Sequence, residues 1–195
     1  MNDANTQIPQ GRFEIVVSGS GGQGIILGGK LLAETAAVYQ GCQAAMVPCY
    51  GPEVRGGVST AEIIIDSDPI DYPRITRPNI LIAMSQEAMD RYAPMLGPDG
   101  LIIVNTTLVE DIPEPFEHVF KAPFTEMAVK MMKTPVVANM IALGALATLS
   151  RLIAPEALKL TLEKHVPSKV LDIDCMAVDQ GVKIACKAYF GWQVS

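Results

Sequence analysis

Residues Val16–Ala37 read VVSGSGGQGIILGGKLLAETAA. An apolar run ends in Gly19, Gly21 and Gly24, spaced G-x-G-x-x-G, and a helical pattern follows. A short apolar segment that stops in glycines is how a buried parallel strand reads, and the spacing is that of a dinucleotide-binding turn. In such a turn the first glycine permits the bend, the second lets a pyrophosphate approach, and the third packs helix on strand. The N–H groups at the helix start favour an anion. The fingerprint has a second half, an Asp or Glu ending the next strand about 20 residues on, which holds the ribose hydroxyls. Here that region reads GCQAAMVPCYG, residues 41–51, with no acid and no arginine. The nearest acid is Glu53, beyond Pro52. Three readings stay open for the turn: a dinucleotide site, a tight turn without a ligand, or a seat for another anionic or partner-presented ligand. The missing acid weighs toward the third.

Working outward, Phe13–Ser18 is the first expected strand and Gln23–Tyr39 a helix that is apolar nearly all round, so buried on more than one side. Gly28 and Gly29 in that helix suit a close approach of backbone or of a partner. Further strands are expected at Gln43–Val47, Val58–Asp66, Asn79–Ser85, Leu101–Asn105 and about His118–Lys121, with a helix over Gln86–Leu96 and a turn at Gly97–Gly100. The segment Ser67–Pro78, with three prolines, reads as a loop, and the acidic run Asp66, Asp68 and Asp71 beside those prolines as solvated. Beyond residue 122 the pattern turns helical: Thr125–Met132, then Thr134 and Pro135 as N-cap and first helical residue of a helix to about Leu152, then Pro155–His165 and Lys169–Phe190. Strands alternating with helices imply an α/β, Rossmann-like fold, a mostly parallel sheet with helices on both faces and a helical C-terminal part. Residues 1–12 read as a flexible tail and 13–195 as a single domain.

Of the 195 residues, 49% are hydrophobic and only 18% charged, which fits either a compact Ala/Val/Ile-rich core or a surface that meets another chain. A net charge of -6 without a Lys/Arg cluster argues against nucleic acid as partner. The longest apolar run, Val136–Leu149, is broken by Asn139 and Gly144 and is too short to span a bilayer. The polar N-terminus has no signal-peptide core, so a cytoplasmic location is expected. Cys42, Cys49, Cys175 and Cys186 show neither C-x-x-C nor metal-ligand spacing and are expected as buried, reduced thiols. His118 and His165 stand apart from any Ser or Cys motif and read as surface or helix-end residues.

The other unusual stretch is YGPEVRGG, Tyr50–Gly57, where Gly51, Gly56, Gly57 and a proline bracket Glu53 and Arg55. Such a loop could hold a fixed charged pair against a ligand or neighbour; its bland reading is a solvent-exposed salt bridge, worth little. Loops that follow strands in an open α/β sheet lie at the carboxyl edge, where ligands bind. The glycine turn (Gly19, Gly21, Gly22, Gln23, Gly24) and Tyr50–Gly57 are therefore expected to share that edge, as ligand-binding elements. No nucleophile elbow or metal cluster accompanies them. A chain with ligand-type loops and no catalytic machinery reads as one part of a larger enzyme.

The sequence resembles the gamma subunit, or gamma domain, of the 2-oxoacid:ferredoxin oxidoreductases. The likeness is carried by GSGGQGIILGGKLLAE (19–34), YGPEVRGGVSTAEIIID (50–66), DPIDYPRI (68–75), LIAMSQEAMDRY (81–92) and VANMIALGAL (137–146), and runs from about residue 12 to 189. Within the family it looks closest to the small gamma subunits of the 2-oxoglutarate type. The resemblance implies an enzyme complex that oxidatively decarboxylates a 2-oxoacid with coenzyme A, giving an acyl-CoA, carbon dioxide and reduced ferredoxin. It implies thiamine diphosphate, magnesium and iron–sulfur (Fe-S) clusters in partner alpha, beta and delta subunits, none bound by this chain, which would be inactive alone and would meet ferredoxin only indirectly. Glu53 and Arg55 would then have supporting roles in catalysis. The alternatives are an autonomous nicotinamide- or flavin-binding enzyme and a purely structural scaffold subunit. An apolar surface made for absent partners could also form a homodimer in the isolated chain.

Overall fold

The computed structural model describes residues 11–51 and 57–192. Six strands form one sheet: β1 Phe13–Ser20, β2 Gln43–Tyr50, β3 Val58–Asp66, β4 Ile80–Ala83, β5 Leu101–Asn105 and β6 His118–Ala122. Six helices accompany them: α1 Ile25–Tyr39, α2 Gln86–Tyr92, α3 Phe124–Met132, α4 Ala138–Ser150, α5 Pro155–His165 and α6 Ser168–Trp192. A single 3-10 turn, Ala93–Met95, prolongs α2.

The spatial order is β2-β3-β1-β4-β5-β6. The pairs β1·β4, β4·β5 and β5·β6 are parallel, while β3 is antiparallel to both β1 and β2. Thus β3 is inserted, reversed, between two strands that run the same way. The expected mostly parallel α/β sheet is present, and the α1 crossover carries the chain two strands away from β1 rather than one.

Strand side chains alternate between faces, and both faces are covered. Ile15 and Val17 of β1 enter the larger core with Leu31 and Leu32 of α1 and Ile141 and Leu146 of α4. Val16 enters the smaller core, where Met89 and Tyr92 of α2 pack on Leu81 and Ile102. Four helices beyond β6 thus thicken one side, while α2 covers the other. Helix α4 is buried from Ala138 through Ala147, as its apolar circumference requires.

Gly28 and Gly29 answer to internal packing. A Cβ at Gly29 would fall on Ala61 of β3, and one at Gly28 would lie 3.4 Å from Leu143 of α4. The start of α4 differs from the sequence expectation. The Thr134 hydroxyl accepts the Val136 N–H at 3.4 Å, a local turn two residues on, and the Pro135 carbonyl accepts the Ala138 N–H. The turn delays the helix, and Val137 becomes its N-cap. Asp66 also departs from expectation: it is buried at the end of β3 and accepts the Asp68 N–H at 3.1 Å. All four cysteines are free, but only Cys42 is buried; Cys49 lies on the edge strand β2, and Cys175 and Cys186 on α6.

Candidate functional site

The carboxyl ends of β1, β4, β5 and β6 define one edge, and β2 runs with β1, so Tyr50 ends there too. The segment from Gly51 to Gly57 joins β2 to β3 at this edge. Glu53, Arg55 and Gly56 lie outside the described residues; Tyr50, Gly51 and Gly57 lie within them. The Gly51 N–H donates to the Val58 carbonyl at 2.8 Å, closing the ladder. The Gly21 N–H donates to the Gly57 carbonyl at 3.1 Å. That bond joins the two unusual stretches of the sequence directly, so the glycine turn and the end of the Tyr50–Gly57 segment do share an edge.

The turn is built around Gln23. Its Oε1 accepts the Ser20 N–H at 2.8 Å and its Nε2 donates to the Met84 carbonyl at 3.3 Å. Both partners are backbone groups, so only one amide orientation satisfies them. The side chain thereby bridges the ends of β1 and β4 across Gly19, and a Cβ on Gly19 would fall on Gln23 Oε1. This is why the first glycine of the motif is required: it makes room for a glutamine. Gly22 and Gly24 have φ of +89° and +71°, the left-handed region that glycine enters without strain. Gly21 and Gly22 are exposed, and a Cβ at Gly22 would meet nothing within 4 Å. Helix α1 starts on Gly24, which has no side chain to cap its first-turn N–H groups.

Below the edge, Ser18 Oγ lies 2.8 Å from Thr60 Oγ1, and the Tyr92 O–H donates to Thr60 Oγ1 at 3.1 Å. This buried chain ties β1, β3 and α2 together. Neighbouring Cys49 is not poised as a nucleophile: burial pushes its thiol up, Glu62 adds to this, and Arg74 only partly opposes it. Among the described residues no group of three His, Cys, Asp or Glu side chains is arranged to hold a metal. No helix among them is long and apolar enough to cross a membrane.

Three amides at this edge escape the motif reading. Asn105 of β5 pairs with Thr125, its Nδ2 donating to Thr125 Oγ1 at 2.8 Å and its Oδ1 accepting the Thr125 N–H at 3.2 Å. Gln86 of α2 accepts the Glu110 and Asp111 N–H groups, each at 3.0 Å. Asn139 of α4 donates to the Gly24 carbonyl at 3.0 Å. The visible signal for Asn139 is a lone amide inside the apolar run VANMIALGAL.

The dinucleotide reading fails on this geometry. A ribose-binding acid must end the strand that lies beside β1 on the side away from β4. Here that neighbour is β3, which starts at this edge instead of ending there. The end of β2 lies one strand further out, roughly 10 Å from β1 at ordinary strand spacing. Residues 14–184 match the family described as pyruvate ferredoxin/flavodoxin oxidoreductase.

The chain belongs to that family.

The 2-oxoglutarate synthase subunit KorC of Methanocaldococcus jannaschii is 38% identical over 176 residues, covering 89% of this chain and 94% of that protein. A solved gamma subunit of a keto/oxoacid ferredoxin oxidoreductase from Geobacter sulfurreducens superposes with a TM-score of 0.83 at 35% identity, over 91% of this chain and 98% of that one. The 2-oxoglutarate:ferredoxin oxidoreductase of Magnetococcus marinus, solved with 2-oxoglutarate, coenzyme A and succinyl-CoA bound, gives 0.80 at 26% identity, over 92% of this chain and 32% of that longer one. The family's relatives are thus subunits of oxidoreductase complexes, one of which is seen with coenzyme A.

Proposed function

We propose that this chain is the gamma subunit of a 2-oxoglutarate:ferredoxin oxidoreductase and forms one wall of the cleft in which coenzyme A is used. The observation that carries the reading is the 38% identity to a 2-oxoglutarate synthase subunit over nearly the whole of both chains. The complex converts a 2-oxoacid and coenzyme A to acyl-CoA and carbon dioxide, and ferredoxin takes the electrons. Thiamine diphosphate, magnesium and iron–sulfur clusters, in alpha, beta and delta partners, supply the decarboxylation and the electron path. The residues of this chain bind and orient, in the cytoplasm, and the isolated chain does not turn over.

The carboxyl edge supports a role toward an anionic cosubstrate. Gly21 and Gly22 are exposed, the start of α1 is uncapped by any side chain, and Gly57 is bonded to Gly21. Helix starts of this kind attract phosphate. Arg55 is assigned to a phosphate or carboxylate contact, because its planar fork suits both, and Glu53 to orienting it. Gly19, Gln23 and Gly24 shape the turn, and Tyr50, Gly51 and Gly57 stand at the ends of the segment that carries Arg55.

Arg55→Ala in the assembled complex tests this. Loss of one charge-assisted contact should raise the KM for coenzyme A about tenfold, or lower turnover. Unchanged kinetics with unchanged assembly would overturn the role.

A further inference from the structure

The glycine turn is held from two sides, and one of them lies far away in the sequence. Asn139, in the first turn of α4, is 97% buried and sits 115 residues beyond Gly24. Its Nδ2 donates to the Gly24 carbonyl at 3.0 Å, while its Oδ1 accepts the Met140 N–H at 2.8 Å. The Gly24 carbonyl also accepts the Gly28 N–H at 2.9 Å, as the first bond of α1. The peptide that opens α1 is therefore fixed twice, once by its own helix and once by α4. The fit is close: a Cβ on Gly24 would lie 2.6 Å from Asn139 Nδ2.

Helix α4 is itself a firm anchor. Gly144 lies where a Cβ would fall on the Val178 carbonyl, and Gly181 where one would fall on the Ile141 carbonyl. Helices α4 and α6 thus touch backbone to backbone, and α4 has little freedom to slide. One turn along from Asn139, Leu143 packs on Gly28 of α1. The C-terminal helical layer is in this way rigidly connected to the mouth of the glycine turn.

We propose that Asn139 is a positioning residue for the glycine turn: by holding the Gly24 peptide it sets the direction of the N–H groups at the start of α1, without touching the ligand they receive. That those groups receive coenzyme A rests on the function proposed above. Asparagine is the residue type the site demands. Aspartate keeps the shape and the acceptor for Met140 but turns an oxygen toward the Gly24 carbonyl. Alanine removes the donor outright.

The test uses Asn139→Asp, with Asn139→Ala as the second variant should the buried carboxylate prevent folding. Hydrogen exchange in the full chain should quicken at least tenfold in peptides covering Gly19–Leu27 and stay unchanged in β4 and β5. In the assembled complex the KM for coenzyme A should rise by a similar factor, with kcat within about twofold, since a misaimed binding group costs affinity before chemistry. Acid should partly restore the aspartate variant, because a protonated carboxyl can again donate to Gly24. Leu158→Ala, a core truncation in α5, is the control: it lowers the melting temperature and leaves the KM alone. Unchanged exchange at the turn overturns the positioning role. Faster exchange with an unmoved KM upholds that role and overturns the coenzyme A reading instead.

Discussion

Glu14 shows how a single buried charge holds a loop that the sequence left unexplained. It lies on β1, in the sheet, yet its carboxylate accepts the Thr76 N–H at 2.6 Å, the Arg77 N–H at 2.8 Å and Arg12 Nε at 2.9 Å. Arg12 in turn donates to the Tyr72 and Arg74 carbonyls at 3.1 and 2.8 Å. The proline-bearing segment 67–78 is therefore strapped to the amino edge. Burial alone would raise the Glu14 carboxyl, but the Thr76 N–H, the Arg12 side chain and the Arg77 N–H together hold it below the usual carboxylate range. An acid depressed in the folded state stabilises fully above its unfolded value and loses that contribution as pH falls through the folded one. Glu14→Gln should thus lower stability by about 1–3 kcal/mol at neutral pH. The gap to the parent should narrow below about pH 4, because the parent is then losing the same charge. Melting temperatures of both proteins across that range decide it; a gap that stays constant into acid would count against the assignment. Sequence reading located this loop by its prolines but not its strap, since Glu14 and Thr76 stand 62 residues apart. The same applies to Gln23: G-G-Q-G was visible as a turn, while its second partner, Met84, is 61 residues away.

Among the elements, α4 and α6 cross with backbone against backbone. A Cβ at Gly181 would fall on the Ile141 carbonyl oxygen and lie 2.8 Å from the Ala145 nitrogen. The obstacle is backbone, not the end of a flexible side chain, so the helices would have to part. Gly181→Ala should therefore cost at least the 1–3 kcal/mol typical of an overpacked core. Equilibrium unfolding in urea should show a lower midpoint at unchanged slope. A midpoint equal to that of the parent would mean the crossing is looser than drawn. The elements themselves were largely legible, because apolar runs bounded by Gly and Pro mark β1, β3 and β5 unambiguously. The start of α4 was not: Thr-Pro carries the signature of a helix start, and a local hydroxyl turn used it first. Nor could periodicity show that Gly144 meets the Val178 backbone and Gly181 the Ile141 backbone, because that depends on how two long helices cross.

At the scale of the whole molecule, one reversed strand decides what the edge can bind. The sequence made the absent ribose acid visible, but not that the place beside β1 belongs to a strand beginning at this edge. The structure shows it: β3 stands between β1 and β2 and enters at the ligand edge. Gln23 adds a second obstacle: its amide occupies the space beside Gly19 and takes the Ser20 N–H, and the Gly21 N–H is already given to Gly57. A dinucleotide pyrophosphate laid against Gly19–Gly21 would find two of the turn's donors committed, which leaves the N–H groups at the start of α1 for an anion. Among the described residues no acid ends a strand beside β1 at this edge, where NAD and FAD would need one for their free ribose hydroxyls. Calorimetry of this chain with NAD, NADP and FAD should therefore show no binding tighter than about 1 mM, the weakest class of recognition. A micromolar constant for any of the three would revive the autonomous enzyme. The edge as a whole is better suited to a ligand delivered by neighbours. Tyr50, at the end of β2 on this edge, is 70% exposed, and Val136, three residues before Asn139, is 58% exposed, so both apolar side chains are open to a partner. Tyr50→Glu, which sets a charge in that rim without touching the core, should weaken assembly of the complex while leaving the melting temperature of the isolated chain unchanged. Sedimentation of the reconstituted subunits measures the first and thermal unfolding the second. Full assembly with the charge in place would mean that this rim stays open to solvent and that the cleft is closed from elsewhere.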